Sequence, residues 1–325
     1  MSRLYEALSG LKAEQRPMDA IIPLAVPKPA VVSPAPKPEA RPEQHSLKLV
    51  QPTVGPLALT PVESTEQTKE TKETSPKPVE TGTTPAVLAD VLPQSRLVAW
   101  TNPNSLGAEK FRALVTRFDH MRDQRELKSF QVTSSVINEG KTLVSGNIAI
   151  TLAKYSGSKT LLVEGDLHRP SIAKMFGLGH LSGLNHWWSS GDQDLGKYVR
   201  RLNGMPLWFL PAGKPCDQPS DLLRSPRFQK AFAKLASDFE WTVVDSTPML
   251  PVVDVNLWSR LLDGTLLVVR EGVTPVKALK RGLQSLDRPK LIGVVVNEAT
   301  EFDQVSYEGQ YYGGSGDSEK SPVSG

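Results

Sequence analysis

Apolar residues along this chain fall into short continuous runs separated by stretches of helical spacing, and this alternation begins only near residue 96. Continuous runs at 130–133, 160–163, 207–210, 241–244, 264–269 and 291–296 predict strands buried on both faces, as a parallel sheet requires. The stretches between them predict helices at 105–121, 143–155, 170–176, 220–237, 253–261 and 275–286. Strand and helix in alternation predict a doubly wound α/β domain with a mainly parallel sheet over 96–300. Right-handed crossovers would bring the C-terminal ends of those strands to one edge.

Before residue 96 the pattern fails. Residues 15–95 hold 15 of the 27 prolines, and no aromatic residue lies between Tyr5 and Trp100. Such a stretch buries too little apolar surface to offset its ordering entropy, which predicts a disordered, partly polyproline-II tether. Ahead of it, Met1, Leu4, Tyr5, Leu8 and Leu11 recur at helical spacing, predicting a short amphipathic helix within 1–14 that packs on the domain or docks on a partner or a membrane surface. At the other end, 301–325 is polar and glycine-bearing and carries Tyr307, Tyr311 and Tyr312, half of the six tyrosines. A flexible tail with phenols and no core to enter is suited to presenting them elsewhere.

Composition narrows the class of protein. The net charge of +3 and a pI near 8.8 are too mild to imply a nucleic-acid partner, and no Lys/Arg cluster stands out. The single cysteine, Cys216, excludes an internal disulfide framework and fits a reducing compartment. No apolar run approaches the length of a membrane span and the N-terminus lacks a secretory layout, so the expectation is a cytoplasmic chain.

The chemistry gathers between 130 and 170. A strand leads into Ser135-Val136-Ile137-Asn138-Glu139-Gly140-Lys141-Thr142, and a helix follows at once. This is the order of a phosphate-binding loop: backbone N–H groups close around phosphate oxygens, the helix points its positive end at the anion, a lysine reaches the outer phosphates, and a Thr hydroxyl binds Mg²⁺. Ser135 stands where the strict pattern has its first glycine, and Asn138 where another would be unsurprising. The next strand ends in Glu164-Gly165-Asp166, and the strand at 241–244 ends in Asp245, a candidate Mg²⁺ ligand.

The loop TSSVINEGKT, the run LLVEGDLHRP, the segment LPAGKPCDQPSDLLRSPRF, the strand WTVVDSTP and the tyrosine-bearing C-terminus together resemble the bacterial tyrosine kinases of capsule and exopolysaccharide synthesis, in the MinD-like branch of P-loop proteins. The opening MSRLYEALSGLKAEQ is similar to the cytosolic, exosortase-associated members. The resemblance implies ATP and Mg²⁺ as cofactors, with nucleotide contacts from Ser135, Asn138, Glu139, Gly140, Lys141, Thr142 and, at the adenine, Asn297. It implies Thr142, Glu164 and Asp245 around the metal, and Lys141, Asp166, Glu164 and Asp245 in catalysis. Tyr307, Tyr311 and Tyr312 would be the phosphoacceptors.

It further implies a homo-oligomer, a separate membrane-embedded polysaccharide co-polymerase or chain-length regulator as activator, a cognate tyrosine phosphatase, and recruitment to the inner face of the cell membrane. This sequence departs from the family at several positions. Glu164 replaces an aspartate, His168 replaces the first of two arginines, and Val115 replaces the last arginine of a ring-forming motif begun by Glu109 and Arg112. A slow kinase, a MinD- or ParA-like ATPase switch, and a nucleotide-binding adaptor are the alternatives these departures leave. No lysine lies between Phe130 and Glu139, where MinD and ParA proteins carry one, which argues against the switch.

Overall fold

A computed structural model describes residues 21–24, 84–215, 218–250 and 253–299. The amphipathic segment at 1–14, Cys216 and the tail with Tyr307, Tyr311 and Tyr312 lie outside the described residues. Nine strands form one sheet: β1 Ile21–Leu24, β2 Ala86–Val87, β3 Ser129–Ser134, β4 Thr160–Glu164, β5 Arg200–Leu202, β6 Leu207–Leu210, β7 Trp241–Asp245, β8 Gly264–Arg270 and β9 Leu291–Asn297. Their order is β1-β9-β8-β3-β7-β4-β6-β5-β2. Every neighbouring pair is parallel except β5 with β6.

The continuous apolar runs are explained by cover on both faces. Phe130, Val132, Leu162, Trp241 and Val243 pack with Phe111, Phe118 and Ile148 in one cluster. Leu161, Val163 and Val244, the alternate positions of the same strands, pack with Phe228, Phe232 and Trp258 in a second. Leu267, Val269, Val294 and Val296 pack against Leu279 and Leu283 in a third. The strand period of two thus sends successive residues into different layers.

Several elements differ from their predicted bounds for local reasons. The helix expected over 220–237 is two helices, Pro219–Arg224 and Pro226–Ala236, because Ser225 is extended ahead of Pro226 and caps the second by accepting from the Phe228 N–H at 3.0 Å. The helix expected over 170–176 shortens to Ile172–Met175. Two parts of the proline-rich stretch carry structure: β1 adds to the sheet beside β9, and the segment after residue 84 supplies β2 and the turn Pro93–Ser95. As an edge strand β1 tolerates Pro23, whose missing N–H would break a central ladder. Trp187 is fully buried against Phe228.

Glu109 and Arg112 of the helix Leu106–Gln124 pair with each other, Arg112 Nε donating to Glu109 Oε2 at 2.9 Å, and Arg112 also donates to the Pro103 carbonyl at 2.7 Å. Val115 sits in the core with no exposed surface. An arginine could not replace it without burying a charge.

Candidate functional site

Sheet order alone brings the three candidate strand ends together. β7 lies between β3 and β4, with Val132 opposite Asp245 and Asp245 opposite Glu164. The loop after β3, the carboxylate of Asp245 and the Glu164-Gly165-Asp166 corner therefore share one edge. The chain from 246 to 249 is stitched to the same edge, Ser246 N–H donating to Val132 O at 3.1 Å and Met249 N–H to Ser134 O at 2.8 Å.

The loop takes its shape from two left-handed residues. Asn138 has φ +65 and Gly140 φ +96, and asparagine is among the few non-glycine residues that reach this region at low cost. At Gly140 a Cβ would fall 2.2 Å from Asn297 Nδ2, so only glycine fits. The helix Lys141–Lys154 starts immediately after it, leaving its first N–H groups open toward the loop.

Residues remote in sequence brace the loop from beneath. Asn297 Nδ2 donates to the Glu139 carbonyl at 3.0 Å, and Asn297 is only 2% exposed. Its other amide atom, Oδ1, has no hydrogen-bond partner among the described residues. Glu139 is buried, accepts from Val136 N–H at 2.9 Å, and bonds the Thr274 hydroxyl. Arg270 donates to the Asn138 carbonyl at 3.4 Å and to Glu298 at 2.8 Å, and Glu298 pairs with Arg96 at 3.2 Å. Arg270, Thr274 and Glu298 escaped the sequence reading because nothing local ties them to a loop more than 100 residues away, and Arg96 because it reaches the loop only through Glu298.

Lys141 is the electrostatic centre. Its Nζ lies 2.9 Å from Asp166 Oδ2, 3.6 Å from Asp245 Oδ1 and 3.3 Å from the Thr142 hydroxyl. Burial by itself would lower the ammonium pKa, but Asp245 and Asp166 outweigh it and hold the group above its ordinary value. Asp245 is fully buried, and burial raises its carboxyl despite Lys141. Ser145 donates to Asp245 Oδ1 at 3.2 Å. Asp166 Oδ1 accepts from the Arg169 N–H at 3.0 Å.

Glu164 is buried, and both of its carboxylate oxygens accept from backbone N–H groups. Its Oε1 accepts from Ile172 N–H at 2.6 Å and Ala173 N–H at 3.3 Å, and its Oε2 from Ala212 N–H at 3.0 Å. The carboxylate is thereby held in a clamp between the ends of β4 and β6 and the start of Ile172–Met175. That clamp also sets where the short helix begins.

Gly165 is required between the two carboxylates. A Cβ there would lie 2.6 Å from Val244 Cγ1 and 3.0 Å from Trp258 Cε2, while Gly165 N–H donates to Asp245 O at 2.8 Å and Trp258 Nε1 to Gly165 O at 3.2 Å. Gly165→Ala is expected to lower stability by about 1–3 kcal/mol through overpacking, read as a shift in the denaturant midpoint.

A pH dependence follows from the buried glutamates. Burial raises the carboxyl of Glu139, against the hydrogen bonds from Thr274 and Val136. A carboxyl raised in the folded state still holds its proton where the unfolded chain has lost it, so its contribution to stability grows as pH falls through the raised value toward the ordinary 4.5. The stability of the parent chain relative to Glu139→Gln should therefore rise as pH is lowered from neutrality toward 4.5, measured by paired denaturant titrations.

The residues fit a nucleotide with a divalent cation. A cavity of about 740 Å³ is lined by Asn138, Gly140, Lys141, Thr142, Asp166 and Pro248, among others. Among the described residues, buried polar atoms at the same strand ends have no hydrogen-bond partner: Ser135 Oγ, Asp245 Oδ2 and Thr247 Oγ1. Unpaired buried oxygens are costly, and a bound cation with its water shell satisfies them. Thr142 and Asp245 can hold such an ion, and the loop N–H groups with Lys141 can hold phosphates.

No family model matches the sequence. The chain is 30% identical over 226 residues to the Staphylococcus aureus protein CapB, covering 67% of this chain and 96% of CapB. It is 31% identical over 216 residues to the succinoglycan biosynthesis transport protein ExoP of Rhizobium meliloti, covering 64% of this chain but 27% of ExoP. Among solved structures, the kinase domain of the Escherichia coli tyrosine kinase ETK superposes with a TM-score of 0.56 at 25% identity, covering 65% of this chain and 83% of that domain. With nearly the whole of CapB matched, and the strand order, loop and convergent aspartates in place, the chain belongs to the family of bacterial tyrosine kinases built on a P-loop fold.

Proposed function

We propose that this chain is an ATP-dependent tyrosine autokinase that transfers the γ-phosphoryl group to Tyr307, Tyr311 and Tyr312, within a system that makes or exports a polysaccharide. The observation that carries the reading is the Lys141 ammonium held 2.9 Å from Asp166 and 3.6 Å from Asp245 directly behind the loop. The polysaccharide context is supported by the likeness to ExoP. Mg²⁺-ATP supplies the transferable phosphoryl group and the cation that neutralises it.

Lys141 and the loop N–H groups hold the phosphate oxygens and stabilise charge as it spreads over the transferring group. Thr142 and Asp245 hold the cation. Asp166 takes the phenolic proton as the tyrosine oxygen bonds to phosphorus and the bond to the bridging oxygen of ADP breaks. Glu139, Thr274 and Asn297 keep the loop from relaxing, so most of the acceleration comes from position and electrostatics. A membrane co-polymerase as activator, a phosphatase and self-association of the chain belong to the same proposal. Among the described residues no helix is long and apolar enough to cross a membrane.

The test is phosphotyrosine formation on the full chain with ATP and Mg²⁺, with and without the cytosolic segment of a candidate membrane partner. Signal that disappears in both Lys141→Met and the Tyr307/Tyr311/Tyr312→Phe triple variant supports autophosphorylation of the tail. ATP turnover without phosphotyrosine would replace this reading with an ATPase switch, and silence in both assays with an adaptor.

A further inference from the structure

A second cavity, of about 1400 Å³, lies beside the loop pocket and shares the His168-Arg169 wall with it. Its charge is one-sided. Arg169, Lys174 and Lys214 line it, and none of the three has a side-chain hydrogen bond or ion pair among the described residues. His180 and His186 add exposed imidazoles. The carboxylate on its wall is Glu164, whose two oxygens are already taken by three backbone N–H groups. Three cations facing one cavity with no available counter-charge among the described residues fit an anionic ligand.

A second observation narrows the ligand. Asn185 lines the same cavity and is 8% exposed. Its Nδ2 donates to the Lys214 carbonyl, which fixes the amide plane, and its Oδ1 is buried with no partner among the described residues. A fully ionised phosphate offers only acceptors and leaves that oxygen unsatisfied. A hydroxyl donor satisfies it.

We propose that the cavity formed by Arg169, Lys174, Lys214 and Asn185 binds a phosphorylated sugar, its phosphate on the three cations and a sugar hydroxyl donating to Asn185 Oδ1. The shared chemistry is an anionic phosphate ester bearing free hydroxyls, present both in sugar monophosphates and in nucleotide sugars. The binding does not depend on the kinase reading, because neither Lys174, Lys214 nor Asn185 takes part in phosphoryl transfer.

The test is calorimetric titration of the full chain, saturated with Mg²⁺-ADP so that the loop pocket is filled. The probes are glucose 1-phosphate, UDP-glucose, inorganic phosphate and phenyl phosphate. Glucose 1-phosphate or UDP-glucose is expected to bind at least about tenfold more tightly than inorganic phosphate or phenyl phosphate, and to lose about tenfold or more in Lys174→Glu/Lys214→Glu. The two sugar arms distinguish a monophosphate from a nucleotide sugar. Should the double variant unfold early, Lys174→Ala and Lys214→Ala measured singly replace it. Equal binding of all four probes, preference for phenyl phosphate, no binding, or affinity retained in the charge variants would overturn the proposal; preference for phenyl phosphate would assign the cavity to phosphotyrosine instead. Phosphotyrosine formation measured on the same variants reports separately on the kinase.

Discussion

Exchanging Lys141 for methionine is expected to lower ATP-dependent phosphotyrosine formation by at least about a hundredfold, the scale on which removal of one preorganised electrostatic donor acts. The reason lies in what surrounds the ammonium. Lys141 is the cation that Asp166 and Asp245 share, at 2.9 and 3.6 Å, and the pair holds it ready where phosphate oxygens arrive. Without it the loop N–H groups remain, but the outer phosphate loses its charge partner.

The same exchange has a cost in the free protein. Two buried carboxylates lose their common counter-ion, which is expected to destabilise the fold by about 3 kcal/mol, the scale of a broken buried pair. Because burial already raises Asp245, proton uptake by one of the two relieves the repulsion, so part of the loss should be regained as the pH is lowered. Denaturant midpoints at pH 8 and pH 5 measure this. An unaltered midpoint at pH 8 would show that water, not Lys141, compensates the aspartates.

Glu164→Ala is expected to destabilise the protein by about 3 kcal/mol, with three backbone N–H groups left without their acceptor. These donors come from separate places: Ile172 and Ala173 begin a short helix, and Ala212 follows β6. The carboxylate therefore joins segments that have no ladder of their own, and its loss should loosen the wall between the two cavities. Glu164→Asp should fall between the parent and alanine, since the shorter side chain cannot span all three donors. Mg²⁺-nucleotide affinity should change less than stability. A weakened metal dependence with the unfolding midpoint unmoved would instead return Glu164 to the metal shell.

Most of the architecture was legible because it rests on local pattern. The six continuous apolar runs became β3, β4, β6, β7, β8 and β9 within a residue or two, since burial on both faces of a parallel sheet leaves a signal that needs no knowledge of partners. The short additions were not legible. β1, β2 and β5 are two to four residues long, and β1 lies in proline-rich sequence. What recruits them is an open sheet edge, a property of the assembled fold.

The site divides in the same way. Lys141, Thr142, Asp166 and Asp245 could be named from spacing, because a glycine, lysine and threonine at a helix start and carboxylates at strand ends already specify phosphate and metal chemistry. The backbone contacts of Glu164 could not, since whether its carboxylate reaches the Ala212 N–H depends on where β6 ends. The bracing of the loop by Asn297, Thr274, Arg270 and Glu298 was equally hidden.

By itself, then, the sequence determined the α/β class, the phosphate loop and the carboxylates at the strand ends, all of which follow from periodicity and residue chemistry over short spans. Only the tertiary structure decided which carboxylate faces Lys141, what holds the loop in its left-handed turn, and that a second, cationic cavity opens beside the first. Those outcomes depend on contacts such as Ala212 with Glu164 and Asn297 with Glu139, 48 and 158 positions apart, and no local pattern encodes them.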